Sequence, residues 1–101
     1  MEDAAFWLVK VTAGADGWIA EGRAYETIRL NDVLTVRQSQ QQSDIRPKLI
    51  VRAISTYGKE VPELGRVHTG ALLLQGSGGE MLEDDSYLYR ADFRGELAPA
   101  K

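Results

Sequence analysis

His68 is the only histidine in the 101-residue chain, and there is no cysteine. Thiol nucleophiles, zinc–cysteine sites and disulfide scaffolds are thereby excluded. A single imidazole also removes most general-base and multi-histidine metal schemes, and near the start of a strand it reads as a surface or half-buried spectator. Glu80, Glu83, Asp84 and Asp85 form an acidic cluster that would attract a cation. It lacks the Asp-x-Asp-x-Asp-Gly spacing of a calcium loop, so it reads as a solvated turn. Ser77-Gly78-Gly79 offers backbone N–H groups to a phosphate, yet no strand-to-helix context follows, which leaves a plain turn. Trp7, Trp18, Tyr25, Tyr57, Tyr87 and Tyr89 hold the surface from which a base-stacking platform would be built. A small barrel is expected to spend most of them on its core or its ends. No catalytic, cofactor-binding or metal residue emerges, so neither a cofactor nor an enzyme is expected, and the binding residues stay open.

Charge and length set the frame for those residues. The net charge is −3, from 12 basic and 15 acidic side chains. Residues 1–50 carry six basic against seven acidic groups, and residues 51–101 carry six against eight. There is no basic tail, and indiscriminate binding to DNA is not expected. Arg23, Arg29, Arg37, Arg46, Lys48 and Arg52 would form a positive patch only if the fold gathered them; otherwise they are solubilising charge. Apolar residues make up 44% of the chain, ordinary for a globular domain. A single domain over 1–101 would bury roughly two-thirds of its unfolded surface. No apolar run approaches the ~20 residues that span a bilayer, so no membrane partner is expected. Absent cysteine and an N-terminus without a basic-then-apolar signal fit a cytoplasmic protein.

The elements follow from period-two patterning and turn residues. Residues 6–11 read as a strand of aromatic and branched side chains, and 12–17 as a turn. A second strand over 18–26 puts Trp18, Ala20, Gly22 and Ala24 on one face, and Ile19, Glu21, Arg23 and Tyr25 on the other. Gly22 inside it marks a bend or a close backbone approach. Residues 28–32 form a short strand or link ending in an Asn-Asp turn, and 33–37 a strand with Leu34 and Val36 inward. The polar segment 38–44 is a mobile loop without an apolar anchor. Residues 48–57 form a long strand whose phase breaks at Ile54, which predicts a β-bulge near Arg52–Ala53. A mostly extended loop over 58–65, a strand over 66–75, a turn over 76–79, one helical turn over 80–83 and a last strand over 87–90 complete the set. Six strands without a long helix predict an all-β sandwich or barrel.

Order and spacing over about 6–90 resemble the second domain of elongation factor Tu, the β-barrel shared by translational GTPases. The segment Gly17-Trp18-Ile19-Ala20-Glu21-Gly22-Arg23-Ala24 is similar to the family's glycine, branched pair, polar residue and glycine-arginine-valine. It continues into Thr27-Ile28-Arg29-Leu30-Asn31-Asp32-Val33-Leu34-Thr35-Val36, like the family's small residue, isoleucine, basic residue and acid before alternating apolar positions. Residues 57–76 resemble its aromatic-x-lysine loop and leucine run, and 82–88 its closing isoleucine and leucine. Asn31 replaces the usual turn glycine, one residue is missing before Thr27, and Ala71 and Gln75 stand where glycine and arginine are common. The resemblance implies a six-stranded antiparallel Greek-key β-barrel of the translation-factor domain 2 type, as a stand-alone domain with an irregular tail over 91–101.

In that family the barrel helps hold the aminoacylated end of tRNA and packs on a GTPase domain. No Gly-x-x-x-x-Gly-Lys-Ser/Thr loop is present, so this chain is expected to bind no GTP of its own. Aligning on Gly17 and Gly76 places Leu8, Val9, Val11 and Thr69 at the family's aminoacyl-binding positions. The aliphatic Leu8, Val9 and Val11 neither accept a hydrogen bond from an α-amino group nor stack on adenine, so most of that pocket's chemistry is missing and aminoacyl-tRNA is not an expected ligand. The resemblance implies a non-catalytic binding module that engages RNA or a translation component. The alternative is a protein-interaction module, such as an inhibitor, an immunity-type protein or a complex subunit, that keeps the barrel and has lost RNA binding.

Overall fold

The computed structural model describes residues 4–36 and 47–91. In chain order the elements are β1 (Phe6–Gly14), β2 (Gly17–Ala24), β3 (Ile28–Arg29), β4 (Val33–Thr35), β5 (Lys48–Thr56), β6 (Lys59–Val61), β7 (Glu63–Leu64), β8 (Thr69–Ser77) and β9 (Ser86–Arg90), with a 3-10 helix over Gly79–Met81. Strands β1, β2, β8, β5, β4 and β9 pair in that order, and β9 pairs back onto β1. Every pairing is antiparallel. The result is a closed six-stranded barrel with Greek-key connectivity, because the chain crosses the barrel between β2 and β4 and again between β8 and β9. β6 adds a seventh strand to the second half of β5, and β3 with β7 forms a separate ribbon. No helix among the described residues is long and apolar enough to cross a membrane.

Alternation fills the interior. Phe6 and Leu8, Ala20 and Ala24, Leu49 and Val51, Leu72 and Leu74, and Leu88 are buried. Each Leu, Ile or Phe so buried contributes about 1.5–3 kcal/mol of transfer free energy. Two β-bulges correct the phase. One falls between Val51 and Ala53, so that Arg52 is the extra residue and Ile54 returns to the core. The other falls between Leu8 and Lys10, with Val9 as the extra residue. Uninterrupted alternation from Leu8 would have driven Lys10 inward; the bulge turns Val11 onto the core instead. Gly22 lies opposite Leu8 at that bulge, and a Cβ on it would collide with the Trp7 carbonyl. Its missing side chain is what lets β1 approach β2 there.

Several expected boundaries move, each because of pairing. β1 runs on to Gly14, since Thr12 and Ala13 pair with Ile19 and Trp18 and confine the turn to two residues. The expected loop over 58–65 carries two short strands: Val61 pairs with Ile54, and Leu64 with Ile28, both members of the second pair being buried. The strand expected over 66–75 starts at Thr69 and ends at Ser77, because Arg66 and Val67 form a turn. β4 stops at Thr35, and Val36 packs on the core beyond it. The loop 38–44 and the tail beyond 91 lie outside the described residues. Of the aromatics, expected to fill the core or cover its ends, Phe6 is the only one fully buried among the described residues, and Trp18 packs partly buried against the core. Leucine, isoleucine, valine and alanine supply most of the buried core, and Trp7, Tyr25, Tyr57 and Tyr87 stay outside it.

Candidate functional site

Where those rings go defines the site. On the outer wall, Tyr87 of β9 pairs with Trp7 of β1, Trp7 with Arg23 of β2, and Arg23 with Thr69 of β8. This row crosses four strands. Tyr25, just after β2, meets Tyr87 with ring centroids 6.3 Å apart and planes tilted by 30°. Trp7, Val9, Arg23, Tyr57 and Thr69 line a groove of about 450 Å³, with Val9 aimed into it by the bulge. A second hollow of about 470 Å³ adjoins it, sharing Ser55 and Ala71, and is lined by the apolar row Ile19, Leu73 and Ala53. Tyr25, Arg66 and Val67 line a third, of about 740 Å³.

Two backbone conformations mark this face as unusual. Four non-glycine residues among those described have positive φ: Asn31, Tyr57, Val67 and Asp85. Asn and Asp tolerate that region because their short polar side chains bond locally; a β-branched valine and a bulky tyrosine do not. Tyr57 (φ 53°) and Gly58 (φ 77°) form the two-residue turn between β5 and β6, with Thr56 paired to Lys59. Positive φ at both positions is the type I′ signature, where Asn-Gly is the favoured pair. Here the first position holds a tyrosine whose side chain is 86% exposed. Val67 (φ 64°) is 60% exposed. Its N–H donates to the Ala24 carbonyl at 2.8 Å, and its carbonyl accepts from Arg23 Nε at 3.2 Å. Neither side chain recovers its backbone cost by burial.

The charges around the face are mixed. Glu21 and Arg23 both line the groove. Trp7 Nε1 donates to Asp85 Oδ1 at 3.1 Å, and the Val11 N–H donates to Asp84 Oδ1 at 2.9 Å. Arg23 and Arg66 have no carboxylate partner among the described residues, whereas Arg29 pairs with Glu63 at 3.1 Å. Arg90 is held more fully. It donates to Glu26 Oε1 at 3.2 Å, to Asp32 Oδ2 at 3.0 Å and to the Thr27 carbonyl at 2.9 Å. Burial, the largest single influence, lowers its pKa, but the hydrogen bonds and charges of Asp32 and Glu26 together outweigh it and leave the value raised.

The residues singled out from sequence scatter. His68 is exposed, and its backbone bonds to Gly65 and Ala24. Of the acidic cluster, Asp84 and Asp85 serve β1, and no group of three metal-ligating side chains occurs among the described residues. Gly79 lies buried under the Trp18 ring, so the glycine run serves packing there. Trp18 itself packs on the core, whereas Trp7, Tyr25, Tyr57 and Tyr87 share the outer face. Arg29 and Arg52 do not join Arg23: the first binds Glu63 and the second Asn31. Arg37 and Arg46 lie outside the described residues. Of the four positions aligned to an aminoacyl pocket, Val9 and Thr69 do line one groove, while Leu8 is buried and Val11 packs on the core. Arg66 and Val67 carried no sequence signal, since neither is a turn-forming residue type. Searches of family models, curated proteins and solved structures find no match to the chain.

Proposed function

We propose that this chain is a non-catalytic binding module that engages a protein partner through the outer face around Trp7, Arg23 and Tyr57. The observation that carries the reading is the pair of bulky, exposed side chains, Tyr57 and Val67, in left-handed backbone conformations beside Arg23. Strain of about 1–3 kcal/mol at such a residue persists only where the surrounding structure enforces it, and residues of this kind cluster at ligand clamps, switches and active sites. Tyrosine, tryptophan and arginine are also the side chains that dominate the centres of protein interfaces. The translation-factor resemblance favours RNA, and the Tyr25–Tyr87 pair offers ring surface for bases. The groove, however, sets Glu21 beside Arg23 and places Asp85 on Trp7, which repels a phosphate chain.

The test is capture of proteins from a lysate on immobilised wild-type chain against Tyr57→Ala and Arg23→Ala. Partners retained by the wild type and lost from both variants, at unchanged melting temperature, are the expected result. Retention of tRNA instead, steeply lost between low and moderate salt and dependent on the same residues, would return the module to RNA.

A further inference from the structure

Resting on that reading, we infer that the partner lays an extended segment of basic–apolar–basic pattern across the second hollow, its apolar side chain beside Leu73 and its flanking Lys or Arg side chains against Glu21 and Glu60. The strand register lays out the site. Glu21 of β2 stands opposite Ala71 of β8, Ala71 opposite Ser55 of β5, and Ser55 opposite Glu60 of β6. Residues paired across strands share a face, so these four form one outward row, with a carboxylate at each end and two short side chains between. Ile19, Leu73 and Ala53 form the adjacent outward row and give the hollow its apolar floor. Ala71 and Ser55 border both this hollow and the groove of Trp7 and Tyr57, and their shortness leaves the passage between the two open.

Charge and spacing together select the occupant. Asp16 lines the hollow from the β1–β2 turn and Glu60 from β6, and among the described residues no basic side chain lines it. The carboxylates of Asp16, Glu21 and Glu60 have no hydrogen-bond or ion-pair partner among those residues. Lys10 lies opposite Glu21 on β1 without an ion pair to it, and Arg23 belongs to the first groove, its Nε held by the Val67 carbonyl. Unmatched carboxylates around an apolar floor complement a segment that brings cations and an apolar side chain together. The spacing is that of a peptide. Three strand steps of about 4.8 Å put Glu21 and Glu60 about 14 Å apart, and residues i and i+4 of an extended chain point the same way about 13 Å apart. Residue i+2 then falls over Ala71 and Ser55, next to Leu73. A nucleic acid would bring phosphates against the same carboxylates.

The experiment is selection of a displayed library of random twelve-residue peptides on the intact chain at about 0.15 M salt, where loose attraction between exposed charges is screened. The double variant Glu21→Gln/Glu60→Gln, which removes charge and keeps shape, Leu73→Ala and Tyr57→Asn serve as comparisons. The expected result is enrichment of peptides with Lys or Arg at i and i+4 around an aliphatic or aromatic residue at i+2. Their affinity should fall about tenfold or more in the double variant and measurably in Leu73→Ala. Moving the second basic residue to i+3, which turns it to the other side of an extended chain, should weaken binding as well. Enriched peptides that are neutral or acidic, or that bind the double variant equally, overturn the basic occupant. If those peptides still require Tyr57, the protein-docking reading survives that loss. Basic peptides that require Glu21 and Glu60 but bind Tyr57→Asn as well as the wild type uphold the occupant and remove Tyr57 from the docking face. Absence of any enrichment overturns both, and binding of poly(U) in its place assigns the face to RNA.

Discussion

The Asp84 carboxylate accepts the backbone N–H of Val11 at 2.9 Å, doing for the edge of β1 what a neighbouring strand would do. β9 pairs with β1 only over Phe6–Leu8, and the Asp85 N–H donates to the Val9 carbonyl just beyond. The corner before β9 therefore covers part of the edge that its strand no longer reaches, and a charged cover also discourages pairing with another chain. Asp84→Ala should cost about 0.5–1.5 kcal/mol, and Asp84→Asn, which keeps an acceptor, less. Denaturant midpoints and the exchange rate of the Val11 amide check this; equal midpoints for both variants and wild type would refute it.

Tyr57 and Val67 set stability against binding. Tyr57→Asn and Val67→Gly each place a residue tolerant of positive φ where a bulky one now stands, and each loses little buried surface. Both are expected to raise unfolding stability, by about 0.5–1 kcal/mol. Tyr57→Asn should at the same time weaken partner capture. A stability loss of similar size in either variant would show that its side chain makes a stabilising contact in the native state.

Adjacent leucines should behave differently. Leu72 is fully buried, whereas Leu73 lies on the outer wall between Ile19 and Ala53. Leu72→Ala is expected to cost about 2–5 kcal/mol through lost burial and a cavity. Leu73→Ala should cost well under half of that. Equal shifts of the urea midpoint would contradict the inward–outward assignment of β8.

The Arg90 clasp joins the end of β9 to the segment around β3. Arg90→Gln leaves Asp32 and Glu26 without their cation, and a loss of about 1–3 kcal/mol is expected, discounted toward the lower end because all three groups are partly exposed. The pKa of Arg90 is raised in the folded chain, so its contribution is complete below the unfolded guanidinium value and lost only as pH rises through the folded one. The stability difference between wild type and Arg90→Gln should thus stay constant from about pH 7 to about pH 10. A difference that shrank across that interval would mean that the clasp does not depend on the guanidinium charge.

Sequence alone determined the parts of this protein that depend on neighbours in the chain. Alternation assigned the buried face of β2, the broken phase before Ile54 located the Arg52 bulge, and Gly22 announced a close approach, each a local consequence of strand geometry. The same logic had a signal for the Val9 bulge in the inward phase of Lys10. Closure decided the rest. That Trp7 lies between Tyr87 and Arg23 depends on which strands pair and in what register, a matter of contacts between residues far apart in sequence. Tyr57 and Val67 adopt positive φ for the same reason. The two-residue connection of β5 to β6 closes with both residues left-handed, and Val67 is held by its N–H on the Ala24 carbonyl and by Arg23 Nε on its own carbonyl. No local preference of tyrosine or valine would have suggested it.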